Sequence, residues 1–330
     1  MLLRRIAIVA TTAILALSVA APIDAASPGK KTKLSGTIRI DGSSTVAPLT
    51  EVAAELFMRR NPGVQITVGV SGTSGGFQKF CAGETDANDA SRPIKPEEIT
   101  KCTAAGIKYE EIQVANDALS VVVYPKNPLE CIKVEQVKQI WSPGSTVKTW
   151  GEITGLSLPS SAMSQRITLY GPGSNSGTFD YFTEAINGKS GQIRNDYVDI
   201  GEDDQAAVTA IEGDQWAMAY IPYSFVTEAG KKVKPLQIDG GSGCVAPTLK
   251  NVQNGTYTPL GRPLFIYPSD KALARPEMYA FLRFYVENQA KITKKADFVP
   301  MTEQQVNSAL AKIDSLAGKV KAKKGTAKKP

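Results

Sequence analysis

The stretch TIRIDGSSTVAPLTEVAAELF, residues 37–57, carries the architecture in miniature. Residues 37–40 read as a short strand, and Gly42-Ser43-Ser44-Thr45 as a hydroxyl-rich corner. Residues 48–61 read as a helix with Leu49, Val52, Ala53, Leu56 and Phe57 on one face. Pro48 suits a first helical turn, and Asn61-Pro62-Gly63 ends the helix. The same strand, corner and helix recur twice. Residues 65–70 lead through Thr73-Ser74-Gly75-Gly76 to a helix carrying Phe77 and Phe80. Residues 166–170 lead through Ser176-Gly177-Thr178 to a helix carrying Phe179, Phe182 and Ile186.

Between these units the apolar runs 119–124 and 264–267 read as strands buried on both faces. Helical patterns cover 96–105, 134–140, 204–212, 276–290 and 302–317, and 216–220 is strand-like. Strands alternating with helices predict an α/β fold with mostly parallel sheets flanked by helices. The expected arrangement is two lobes with a ligand cleft between them. Lobe one takes 36–123 plus 264–318 and lobe two 124–263, with crossings near Tyr124 and Pro263.

The ends of the chain read differently from its body. Residues 1–25 resemble a secretory signal: Arg4 and Arg5, an apolar run over 6–17, and small residues before Ala21 or Ala25. The run is shorter than the roughly 20 apolar residues that a membrane span needs, and no cysteine follows it to accept a lipid. An exported, periplasmic protein is expected. The formal charge of +6 is concentrated at the other end, where 319–330 hold six lysines and no acid. Without signal and tail the body carries −1. The Lys-rich tail is expected to be disordered and solubilising.

Four cysteines in an exported chain suggest two disulfides, with three pairings open. Nearness in sequence favours Cys81–Cys102, which leaves Cys131–Cys244; four reduced, buried cysteines are the alternative. No CxxC pair exists to hold zinc. Histidine is absent altogether. That removes serine-histidine hydrolases, HExxH metalloproteases and C2H2 zinc fingers, and no Walker-type or GxSxG motif is present. No metal, cofactor, nucleic acid or catalytic residue is expected.

What remains is a set of hydroxyl and glycine corners at helix starts. A helix start presents unpaired N–H groups and the positive end of the peptide dipoles. Glycine admits close approach, and hydroxyls donate without adding charge. One such corner is an ordinary cap; three at the carboxyl ends of strands point to an oxyanion. Asp89-Ala90-Ser91-Arg92-Pro93 adds a cation, since Pro93 favours extended backbone at Arg92. Two readings of Arg92 stand equal: a fork for a tetrahedral oxyanion, or a surface arginine paired with the acids of the Glu97-Glu98 helix.

These residues together resemble the periplasmic phosphate-binding proteins, the solute receptors of bacterial ABC phosphate importers, in the type II periplasmic-binding-protein superfamily. The resemblance lies in DGSSTV (41–46), GTSGGF (72–77), DASRPI (89–94) and GPGSNSGTF (171–179). YIPY (220–223) and Gly255-Thr256-Tyr257 with Arg262-Pro263-Leu264 are similar to non-ligand signatures of that family. The likeness extends over about 36–288 and is strongest to a cyanobacterial subgroup sharing Phe80-Cys81 and Ser91-Arg92. It implies inorganic phosphate as ligand, an inner-membrane ABC permease as partner, a monomer, and no enzymatic activity. It also implies Ser44, Thr45, Thr73, Ser74, Ser91 and Arg92 as ligands from lobe one, and Ser176, Gly177 and Thr178 from lobe two.

Two departures from the family pattern stand out. No arginine lies in 171–175, and Ser91 stands where an aspartate is usual. Arg92 is expected to supply the first function from the opposite lobe. Asp89 is the first choice for the second, with Asp41 and Asp117 as alternatives. An ionised carboxylate accepts a hydrogen bond from the proton that phosphate keeps near neutral pH and repels sulfate, which has none. The rival readings are a receptor for sulfate or another oxyanion, and an exported phosphatase.

Overall fold

The structure, a computed structural model, describes residues 33–326 apart from Asn175 and Glu202, with side chains described to residue 315. The expected signal at 1–25 lies outside the described residues. The strands are β1 (Ser35–Gly42), β2 (Gly63–Val68), β3 (Ala87–Ala90), β4 (Ile112–Val123), β5 (Cys131–Lys133), β6 (Leu169–Gly171), β7 (Val198–Asp199), β8 (Met218–Pro222), β9 (Lys234–Pro235), β10 (Gln237–Asp239), β11 (Cys244–Val245) and β12 (Gly261–Pro268).

One twisted sheet runs β2-β1-β3-β12-β4-β8-β6-β7, with β9 added against β4, and a second small sheet runs β11-β10-β5. β1 lies parallel to both β2 and β3, and β6 parallel to both β7 and β8. These are the α/β bodies of two lobes. Between them β12 runs antiparallel to β3 and β4, and β8 antiparallel to β4. The two strands that cross between lobes therefore break the parallel pattern.

β4 makes the crossing in one unbroken run. Its first half pairs with β12 up to Ala118, and Leu119 to Val123 pair with β8. Ile112, Val114 and Ala115 pack in one core with Ile38, Leu49, Phe57 and Phe281. Leu119, Val121 and Val123 pack in another with Ile140, Trp141, Phe182 and Tyr220. The strand thus passes from the first core to the second between Ala115 and Ala118. An apolar stretch shows burial but not which core buries it. On the return, Leu260 belongs to the second core and Leu264 to the first.

Helices Ala47–Arg60 and Pro276–Glu287 cover the first lobe, with Phe57 edge-on to Phe281. Helix Gly177–Asn187 covers the second and stacks Phe182 on Tyr220. The last helix spans Glu303–Thr326, so the lysine-rich segment continues a helix to Thr326 where disorder was expected. Lys and Ala are good helix formers. Cys81–Cys102 joins helices Gly72–Cys81 and Pro96–Ala104, and Cys131–Cys244 joins β5 to β11, the pairing that nearness in sequence favoured.

Candidate anion-binding site

The first corner follows β1. Gly42 has a φ of 143°, and a Cβ there would come 2.2 Å from the Asp89 carbonyl oxygen. That close fit lets the Ser43 amide donate to Asp89 O at 2.9 Å and turns the chain into helix Ala47–Arg60. The Val46 and Ala47 amides then donate to Ser43 O. Among the described residues, the amides of Ser44 and Thr45 meet no protein acceptor.

The second corner opens helix Gly72–Cys81. Gly76 sits against the first corner so tightly that a Cβ would lie 2.5 Å from the Gly42 Cα. Thr73 Oγ1 accepts from the Ser91 amide at 3.2 Å and lies equally close to the Ser91 hydroxyl. This binds the corner to the end of β3. Asp41 secures it from behind, accepting from the Ser71 hydroxyl and from Lys79 Nζ.

The third corner comes from the other lobe. Ser176 caps helix Gly177–Asn187, its Oγ accepting from the Thr178 amide at 3.2 Å. That amide is therefore engaged, while the Ser176 hydroxyl proton is left to donate outward. A Cβ on Gly177 would stand 3.5 Å from the Thr45 Cα, so corners from two lobes face each other at van der Waals range.

Two adjoining cavities share Ser44 and Thr45. One, of about 230 Å³, is lined by Thr73, Ser74, Ser91 and Arg92 from the first lobe and by Asp180, Tyr181 and Glu184 from the second. The other, of about 170 Å³, is lined by Asp117, Ser176, Gly177 and Thr178. The nine residues expected from sequence are thus divided between two neighbouring cavities, with only Ser44 and Thr45 bordering both.

The charged groups are arranged otherwise than expected. Arg92 forms a two-pronged pair with Glu98, Nη1 to Oε2 at 2.9 Å and Nη2 to Oε1 at 2.8 Å, and also donates to Pro93 O and Ser74 Oγ. The pairing with the Glu97-Glu98 helix is the one that forms, although Arg92 still lines the cavity. Burial alone would raise the Glu98 acid; the Arg92 guanidinium and the Lys95 amide outweigh it and hold the carboxyl below its ordinary range.

Of the three candidate carboxylates, Asp89, the first choice, does not face the cleft. β3 alternates, so Asn88 turns to the second corner and Asp89 turns inward toward Thr50 and Tyr285. Its oxygens are buried beside the Thr50 hydroxyl, which opposes the effect of burial without cancelling it. Burial, with Asp41 and Glu51 adding to it, pushes its pKa up to about 8. Asp41 is spent on Ser71 and Lys79. Asp117 alone of the three lines the cleft, and burial raises its acid despite the opposing pull of Arg262.

Arg262, which the sequence placed only among non-ligand signatures, also lines the first cavity. It stands at the start of β12, its Nη2 donating to Thr45 Oγ1 at 3.1 Å and its Nε to Asp117 Oδ2 at 3.3 Å. Its guanidinium carbon lies 3.3 Å from the centre of the Tyr181 ring. One sequence signal was available: an arginine directly before an apolar crossing strand is costly to bury unless something pairs with it. Asp180 was also missed. It lies one helical turn beyond Ser176 and accepts from Ser44 Oγ at 3.4 Å across the cleft and from Ser190 Oγ.

A family model described as a PBP superfamily domain matches residues 27–289. Protein SphX of Synechococcus elongatus is 40% identical over 281 residues, covering 84% of this chain and 81% of SphX. The phosphate-binding protein PstS of Staphylococcus saprophyticus is 34% identical over 287 residues, covering 86% of each. A crystal structure described as "a possible phosphate binding protein from Planctomyces limnophilus" superposes with a TM-score of 0.80 at 38% identity, covering 86% of this chain and 99% of that one. A phosphate transport receptor from Vibrio cholerae, 21% identical, shares the fold with a TM-score of 0.65 over 80% of this chain and 99% of its own. With its two lobes, its facing hydroxyl corners and these relatives, the chain belongs to the PBP superfamily, as a homologue of SphX and of the phosphate-binding protein PstS.

Proposed function

We propose that this chain is an extracytoplasmic, periplasmic receptor that captures inorganic phosphate between its lobes and delivers it to an inner-membrane ABC permease. It acts as a monomer without catalysing a reaction. The observation that carries the reading is the approach of Gly177 to Thr45, which gives an ion in the cleft donors from both lobes at once. The open amides of Ser44 and Thr45 and the hydroxyls of Thr73, Ser91, Ser176 and Thr178 provide neutral donors, with Ser74 and Arg92 forming the wall behind them. Donors split between lobes bind most strongly when the cleft shuts, so phosphate would stabilise the closed form by its differential affinity. The permease would read that closed form.

Asp117 is the carboxylate that this reading assigns to selectivity. It would accept a hydrogen bond from the P–OH of hydrogen phosphate and repel fully ionised sulfate. The test is calorimetric titration of the purified protein with phosphate and with sulfate across pH 6 to 8. Phosphate binding that sulfate does not compete away is the expected result. Equal binding of both ions would favour a general oxyanion receptor, and phosphate release from a monoester would favour the phosphatase.

A further inference from the structure

Two arginines line the larger cavity, and their donor counts differ. A guanidinium has five N–H donors. In Arg92 the four terminal ones have acceptors in Glu98, Ser74 and Pro93, which leaves only Nε–H. In Arg262 two donors are engaged, one by Thr45 and one by Asp117. Three remain without a protein acceptor among the described residues, on a side chain only 12% exposed. Nη1, which carries two of them, is not sealed off from solvent, so its donors are open to a ligand. These three border a cavity walled by hydroxyls.

We infer that Arg262 is the principal cation for the oxyanion in this cleft, presented by the crossing strand where both lobes can reach it. The inference rests on the phosphate reading above and names the charged group that the reading lacked. Three contacts fix the group's place. Thr45 holds it from the first lobe, the Tyr181 ring supports it from the second, and Asp117 aligns it from β4. Asp117 is engaged through Nε, so the terminal nitrogens are left to form the parallel pair of hydrogen bonds that tetrahedral oxyanions accept from arginine. A cation placed on the crossing strand also senses closure, since the lobes move about the segment that carries it.

Calorimetry with inorganic phosphate on the wild-type chain and on Arg262→Gln tests this, with Arg262→Ala and Arg262→Lys alongside. Glutamine keeps a stem over Tyr181 and a donor for Thr45 while removing the charge. Circular dichroism and a melting curve establish that each variant is folded. We expect Arg262→Gln to weaken phosphate binding about 10- to 150-fold at an unchanged fold, and Arg262→Lys to restore part of the loss. Folded Arg262→Gln or Arg262→Ala binding within threefold of wild type overturns the inference and leaves the phosphate reading intact. A wild-type chain that takes up no phosphate overturns both.

Discussion

Arg92 and Arg262 border the same cavity and behave as opposites. Arg92 finds its partner six residues away, in the next helix, and its fork is filled before any ligand arrives. Arg262 finds its partners 145 and 217 residues away, and they leave its terminal nitrogens largely open. A cation beside an acid in sequence is thus easily neutralised. One held by distant groups can be kept for a ligand.

The largest effect expected from this contrast is on stability. Arg92→Ala strands Glu98, whose side chain is 10% exposed, as an unpaired buried acid. Breaking such a pair costs about 3 kcal/mol, to be read as a lower urea midpoint. An equally large loss of phosphate affinity with no change in midpoint would reverse the contrast and make Arg92 the ligand. Glu98→Gln should sharpen it, because it frees the Arg92 fork while keeping the shape of the wall.

The next effect is on binding across the lobes. Ser176→Ala combined with Thr178→Ala removes two second-lobe hydroxyls and should cost about 2–3 kcal/mol of phosphate affinity. Affinity retained in that double variant, by calorimetry, would confine the site to the first lobe. Asp89 offers a control buried away from the cleft. Its acid is raised to about 8 in the folded chain, against 3.8 as the ordinary value. The native state therefore holds a proton that the unfolded chain releases over that interval, and stability falls as pH rises from about 4 to 8. Asp89→Asn should remove the fall, gaining at least about 1 kcal/mol at pH 8 and nothing near pH 4. Melting curves at the two pH values check this; a gain independent of pH would refute the account.

The smallest effect concerns Asp180, which faces the cavity from the second lobe. Asp180→Asn keeps an acceptor for Ser44 and Ser190 and removes a negative charge. Sulfate should bind more tightly by about 1 kcal/mol, and phosphate should change less. If both ions gain equally, Asp180 lowers the potential of the cleft without discriminating between them.

Much of this molecule was legible residue by residue. Strand, corner and helix over 37–57 came from short-range periodicity, and the corners were visible because glycine and hydroxyl residues cluster where helices begin. Nearness in sequence also indicated the Cys81–Cys102 bridge. Asp89 was misplaced for a different reason. In a strand, neighbouring side chains point to opposite faces, so choosing the cleft-facing acid required knowing which face of β3 was covered. The passage between cores from Ala115 to Ala118 was hidden because apolar residues look alike in either core.

By itself, then, the sequence determined the α/β alternation, the hydroxyl-bearing helix starts and the absence of a histidine-based chemistry, all of them properties of residue type and near neighbours. Only the tertiary structure decided which charges meet the cleft, because Coulomb and hydrogen-bond partners are chosen by distance in space. Thr45, Asp117, Tyr181 and Arg262 come together only where two strands cross between lobes.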